Sequence, residues 1–150
     1  MAFEFYYCVS LDILHPSADP KRISQQITGF RVTSETMAGS ERVTKDGTVI
    51  VPRRLAALTH WAASLHPNER IYSGDLDLAD FLRARLNELQ PYRDLFRDLG
   101  REGKVLLRIG WFSESNHSAT CLEADVLQAV SELGLGMELN YYAPEQEETR

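Results

Sequence analysis

Between Phe3 and Ile13, apolar side chains occupy every odd position (Phe3, Phe5, Tyr7, Val9, Leu11, Ile13), and the even positions carry Glu4, Tyr6, Cys8, Ser10 and Asp12. A period of two sends the two sets to opposite faces and predicts a strand with one face buried. The rhythm returns from Lys104 to Phe112: Val105, Leu107, Ile109 and Trp111 face one way, Leu106, Arg108, Gly110 and Phe112 the other. It returns again near the end, where Met137, Leu139 and Tyr141 alternate with Glu138, Asn140 and Tyr142.

Other stretches follow the helical period. Asp19 before Pro20 is an N-cap with proline at the first helical position; Ile23 and Ile27 lie four apart, and Gly29 is the expected stop. Asp77 can cap a second helix whose Leu78, Phe81, Leu82, Leu86 and Leu89 share one stripe. Pro91 opens a further helical stretch with Tyr92, Leu95, Phe96 and Leu99 on one side, ended by Gly100. Thr120 and Glu123 have the spacing of a capping box, followed by Leu122, Val126, Val130 and Leu133 and closed by Gly134.

The middle of the chain has less rhythm. Phe30 to Lys45 is rich in Thr, Ser, Gly and charge and reads as a long surface loop. Asp46-Gly47 is a hairpin-turn signal, and Thr48 to Val51 a β-branched strand broken at Pro52. Leu55 to Ser64, with Trp61, reads as another strand. One-sided alternation favours an antiparallel or mixed sheet, since a parallel sheet covered on both sides would show continuous apolar runs. The expected fold is therefore an α+β two-layer sandwich. Its sheet is mainly antiparallel, its helices lie on one face, and it is ferredoxin-like in outline. Residues 1–143 form a single domain in this reading, and 144–150 an acidic frayed tail.

Composition narrows the function classes. The 150 residues hold 16 Lys and Arg against 22 Asp and Glu, a net charge of -6, which disfavours nucleic acid and anionic membrane as partners. Hydrophobic residues at 43% and charged residues at 25% suit a folded domain. No apolar run approaches the roughly 20 residues of a membrane span, and Glu4 stands where a secretory signal would be basic. Two distant cysteines, Cys8 and Cys121, form no CxxC, so reduced thiols in the cytoplasm are expected.

No convergent catalytic set stands out, and neither a metal nor a cofactor is expected. The four histidines lack the i, i+4 spacing of zinc motifs, and His15 and His66, each before a proline, read as solvated turn residues. His117 with Cys121 at a helix start is the one thiol arrangement that a helix dipole could activate, although Thr120 explains that start as an ordinary cap. The carboxylates at Asp75, Asp77 and Asp80 suit a helix N-terminus. Arg53 and Arg54, with Arg42 and Lys45, read as solvated loop charges.

The helices leave one sheet face uncovered, with Tyr6, Arg108, Phe112 and Tyr142 among its residues. Tyr and Arg are enriched at interface hot spots, so these four are the candidate interaction face. Alternatively, the segment from Phe30 to Val51 folds over this face and makes it a second small core.

The order and spacing of several features resemble the bacterial family designated domain of unknown function 4279. They are the first strand, Asp19-Pro20 with Ile23, the loop Gly39 to Glu41 and Trp61. The helix Asp77 to Leu89, the strand Val105 to Trp111, Leu133 to Leu135 and Leu139 to Tyr141 complete the pattern. The resemblance implies a single-domain bacterial cytoplasmic protein, with some relatives expected to act as binding partners or toxin-neutralising immunity proteins, and it carries no established activity onto any position. Two readings follow. One is a non-catalytic domain that binds a protein partner or a second copy through the open face. The other is a small-molecule-binding or enzymatic domain with a pocket between the 30–51 loop and the sheet, lined by His60, Trp61 and Arg108.

Overall fold

The computed structural model describes residues 4–41, 46, 56–67 and 69–144. The chain runs β1 (Phe5–His15), α1 (Pro20–Gln26), β2 (Arg31–Thr36), β3 (Thr59–Ser64), β4 (Ile71–Tyr72), α2 (Leu78–Leu89), a 3-10 turn, α3 (Arg93–Gly100), β5 (Lys104–Ser113), α4 (Ala124–Glu132) and β6 (Gly136–Tyr142). The sheet order is β2-β3-β1-β5-β6, with β4 beside β1. Every pair is antiparallel except β5–β6, which the α4 crossover makes parallel. The molecule is thus an α+β sandwich with a mixed, mainly antiparallel sheet.

The odd residues of β1 explain its central place. Phe5, Tyr7, Val9, Leu11 and Ile13 are buried against Phe81, Leu82, Leu86, Phe96, Val126 and Val130 from the helices. Each such side chain stabilises the fold by roughly 1.5–3 kcal/mol when withdrawn from water. Phe5 stacks on Trp111 with ring centroids 4.0 Å apart. The one polar group on this row, the Tyr7 hydroxyl, donates to the Leu76 carbonyl at 2.7 Å.

Local signals set most helix ends. Asp19 accepts from the Lys21 N–H and Asp77 from the Ala79 N–H, as their N-cap positions predict. Gly134 takes φ +70° just beyond α4, a conformation that glycine adopts without strain. The expected capping box is not formed. The N-cap of α4 is Glu123, residues 117–123 are irregular, and the buried Thr120 hydroxyl has no hydrogen-bond partner among the described residues. Leu122, partly buried, packs against the core just before the helix begins.

The expected loop at 30–45 contains β2, an edge strand paired with β3. It is mostly exposed, so Thr, Ser, Arg and Glu occupy it without cost and no apolar alternation betrays it. Residues 31–36 therefore widen the sheet instead of folding over its second face. The predicted strand 48–51, the arginines at 53 and 54, and the tail 145–150 lie outside the described residues. Neither His15 nor His66 is a solvated turn residue; both are buried. His15 Nδ1 accepts from the backbone N–H groups of Ser17 and Ala18.

His66 has a structural part of its own. Between β3 and β4 the chain leaves the ladder beside β1, and there the His66 Nε2 accepts from the Val9 N–H at 3.1 Å. The imidazole stands where a neighbouring strand's carbonyl would be.

Candidate functional site

The even residues of β1 and their neighbours build the face that the helices do not cover. Registers align Tyr72, Tyr6, Phe112 and Tyr142 in one row across β4, β1, β5 and β6. The Tyr6 and Tyr72 rings are 5.1 Å apart. Phe112 and Tyr142 stack with centroids 4.6 Å apart and 7° between planes. The Arg70 guanidinium lies over the Phe112 ring, 3.8 Å from its centroid, a cation–π contact.

The next row is Cys8, Gly110 and Asn140. A Cβ on Gly110 would come within 2.6 Å of Cys8 Sγ, so the glycine makes room for the thiol and keeps the floor low. Burial pushes the Cys8 thiol above its ordinary range, with a partial offset from its hydrogen bond to the Gly110 backbone and from Arg70.

Beyond this row lies a charged cluster. Asp12, 1% exposed, accepts from His60 Nε2 at 2.9 Å, from Arg108 Nη1 at 2.8 Å and from the Ser10 hydroxyl. Arg108 Nη2 also reaches Glu138 at 3.2 Å. A carboxylate can only accept, so His60 carries its proton on Nε2; in the neutral ring, Nδ1 then accepts from the Ser34 hydroxyl. Burial alone would raise the Asp12 pKa, but the His60 and Ser10 hydrogen bonds and the Arg108 charge together hold it below the ordinary value.

A groove of about 330 Å³ runs between the aromatic row and this cluster. Cys8, Ser10, Gly110 and Arg108 lie along it, Arg31 and Thr33 at one side, Asn140 and Tyr142 at the other. Its two sides come from β2 and β6, which in a flat sheet would be about 19 Å apart at ~4.8 Å per strand. The face is therefore concave. A wider hollow of about 850 Å³ continues past Phe112 and Tyr142, lined also by Tyr6, Glu69 and Arg70.

The structure brings Tyr6, Arg108, Phe112 and Tyr142 to one face, as their alternation predicts. It brings His60 and Arg108 together on Asp12, but Trp61 lies on the opposite side. It is fully buried among the helices and donates from Nε1 to Ser24 Oγ at 2.9 Å. Successive strand residues face opposite ways, so His60 and Trp61 cannot line one pocket. His117 and Cys121 lie outside any helix, which removes the dipole that would have activated the thiol. Asp12, Arg70 and Glu69 escaped the sequence reading. Asp12 sat unremarked among the even positions of β1, and Arg70 arrives from an irregular segment with no local signal.

Among the described residues no group of three or more His, Cys, Asp or Glu could hold a metal ion, and no helix is long and apolar enough to cross a membrane. Comparison of the chain with protein-family models, with curated proteins and with solved structures finds no match.

Proposed function

We propose that this chain is a protein-interaction domain that receives part of a partner protein in the concave face of its sheet. The row of rings Tyr72, Tyr6, Phe112 and Tyr142, capped by Arg70, carries this reading. Aromatic and guanidinium groups offer large contact area and directional bonds at little entropic cost, which is why they dominate interface energetics. The net charge of -6 favours a basic partner.

Two groups that could do chemistry are better suited to structure. Asp12 is held ionised by three donors and below its ordinary pKa, so it has no proton to give and is a weak base. The Cys8 thiol, with its pKa raised by burial, is a poor nucleophile. Toxin neutralisation in a bacterial cytoplasm, the role implied by the family resemblance, is the specific form we favour, and the product of a neighbouring toxin gene is the first partner to try.

The test compares capture of that partner by the wild-type chain with capture by Tyr142→Ala and Arg70→Ala. Tyr142 is about half exposed, so its removal should leave folding intact by circular dichroism. Wild-type should bind stoichiometrically and each variant at least roughly tenfold more weakly, as for hot-spot residues. Unchanged binding by both variants would overturn the reading.

A further inference from the structure

The two ends of the sheet are built differently. β2 carries a bulge between Val32 and Ser34 and the charges Arg31 and Glu35, the usual protections of an open edge. β6, at the other end, has neither bulge nor proline nor basic residue, and its register with β5 is unbroken from Gly136 to Tyr142. Its one charged side chain, Glu138, is engaged by Arg108 on the concave face. On the helix side it presents Met137, Leu139 and Tyr141, of which Leu139 is 56% and Tyr141 54% exposed. Among the described residues no strand pairs with its outer edge.

We infer that β6 pairs antiparallel with β6 of a second copy of this chain, about a two-fold axis at Leu139, so that one sheet runs through both molecules. The sequence of the strand is complementary to itself in that register. Leu139 meets its own copy, Met137 meets Tyr141, Gly136 meets Tyr142, and Glu138 meets Asn140. Apolar thus faces apolar on the helix side and no like charges oppose on the other. The adjacent registers fail. Centring on Glu138 sets two carboxylates against each other, and centring on Asn140 runs Gly136 against Pro144, which has no N–H for the ladder. A side-chain period of two excludes registers that would mix the faces. A seven-residue pairing belongs at the small end of specific interfaces, about 1,200 Å² or less, and so to a dimer of micromolar affinity.

Sedimentation equilibrium across the micromolar range tests this. The wild-type chain should move from the mass of one chain to twice that mass as concentration rises. Leu139→Lys, which would oppose two ammonium groups at the axis, should stay at the single mass while keeping its circular dichroism. Leu139→Cys, in a chain with Cys8→Ala and Cys121→Ser, should form a disulfide-linked dimer on mild oxidation, and Leu127→Cys, equally exposed on α4, should not. A single mass for the wild-type at every concentration would overturn the inference. So would a dimer indifferent to Leu139→Lys, or one that leaves Leu139→Cys uncrosslinked.

Discussion

Arg108 Nη1 donates to Asp12 Oδ2 at 2.8 Å across the two central strands of the concave face. The carboxylate is almost wholly buried, while the Arg108 and His60 side chains keep about a third of their surface in water. Removing the acid therefore strands one guanidinium and one imidazole N–H that can still be partly solvated. Asp12→Ala is expected to cost about 2 kcal/mol, less than the 3–5 kcal/mol of a fully buried pair. Asp12→Asn, which keeps an acceptor for both donors, should cost less. Urea denaturation with unchanged m-values checks both.

The same contact sets an acid limit. The Asp12 pKa is lower in the folded chain than in the unfolded one, where it is about 3.9. Its stabilisation is then complete above the unfolded value and is lost as pH falls through the folded one. Between pH 5 and the acid transition, wild-type stability should fall more steeply than that of Asp12→Asn. Equal slopes in a pH series of urea melts would show that the contact contributes nothing there.

His66→Ala should leave the Val9 N–H buried with no acceptor at 3.1 Å, at a cost of about 1–3 kcal/mol. The diagnostic reading is local. Amide exchange at Val9 should accelerate more than at Leu11, whose neighbours in β3 and β5 are untouched.

Gly110→Ala would drive a methyl against Cys8 Sγ and to within 3.2 Å of the Phe112 ring, for a loss of roughly 1–2 kcal/mol. Much of that loss should return in the double variant with Cys8→Ala, because the thiol is the nearer obstacle. A double-mutant cycle measures the coupling, and strict additivity would mean that the two side chains do not contend for the same space.

The parts of this fold legible in the sequence are those in which one face is dry and the other wet. β1 and β5 show their alternation because Val9, Leu11, Leu107 and Ile109 must be apolar, whereas Ser10 and Arg108 need not be. β2 escaped because an exposed edge imposes no such contrast on Val32, Thr33 or Ser34. The concave face was legible as a set of positions, Tyr6, Arg108, Phe112 and Tyr142, since strand parity alone assigns them. Its contents were only half legible. Arg70 and His66 reach it from an irregular segment whose path depends on long-range packing. Trp61 was misplaced beside His60 because its strand, Thr59–Ser64, is buried along almost its whole length and so shows little alternation.

With the Leu65 N–H donating to the Val9 carbonyl and the His66 imidazole accepting from the Val9 N–H, β1 is satisfied there while Glu69 and Arg70 stand outside the ladder. The segment that follows brings Glu69 and Arg70 to the rim of the hollow, so exchanges there would alter the rim's charge without disturbing the strands behind it. In this architecture a histidine serves as the splice that lets the rim change at little cost to the frame.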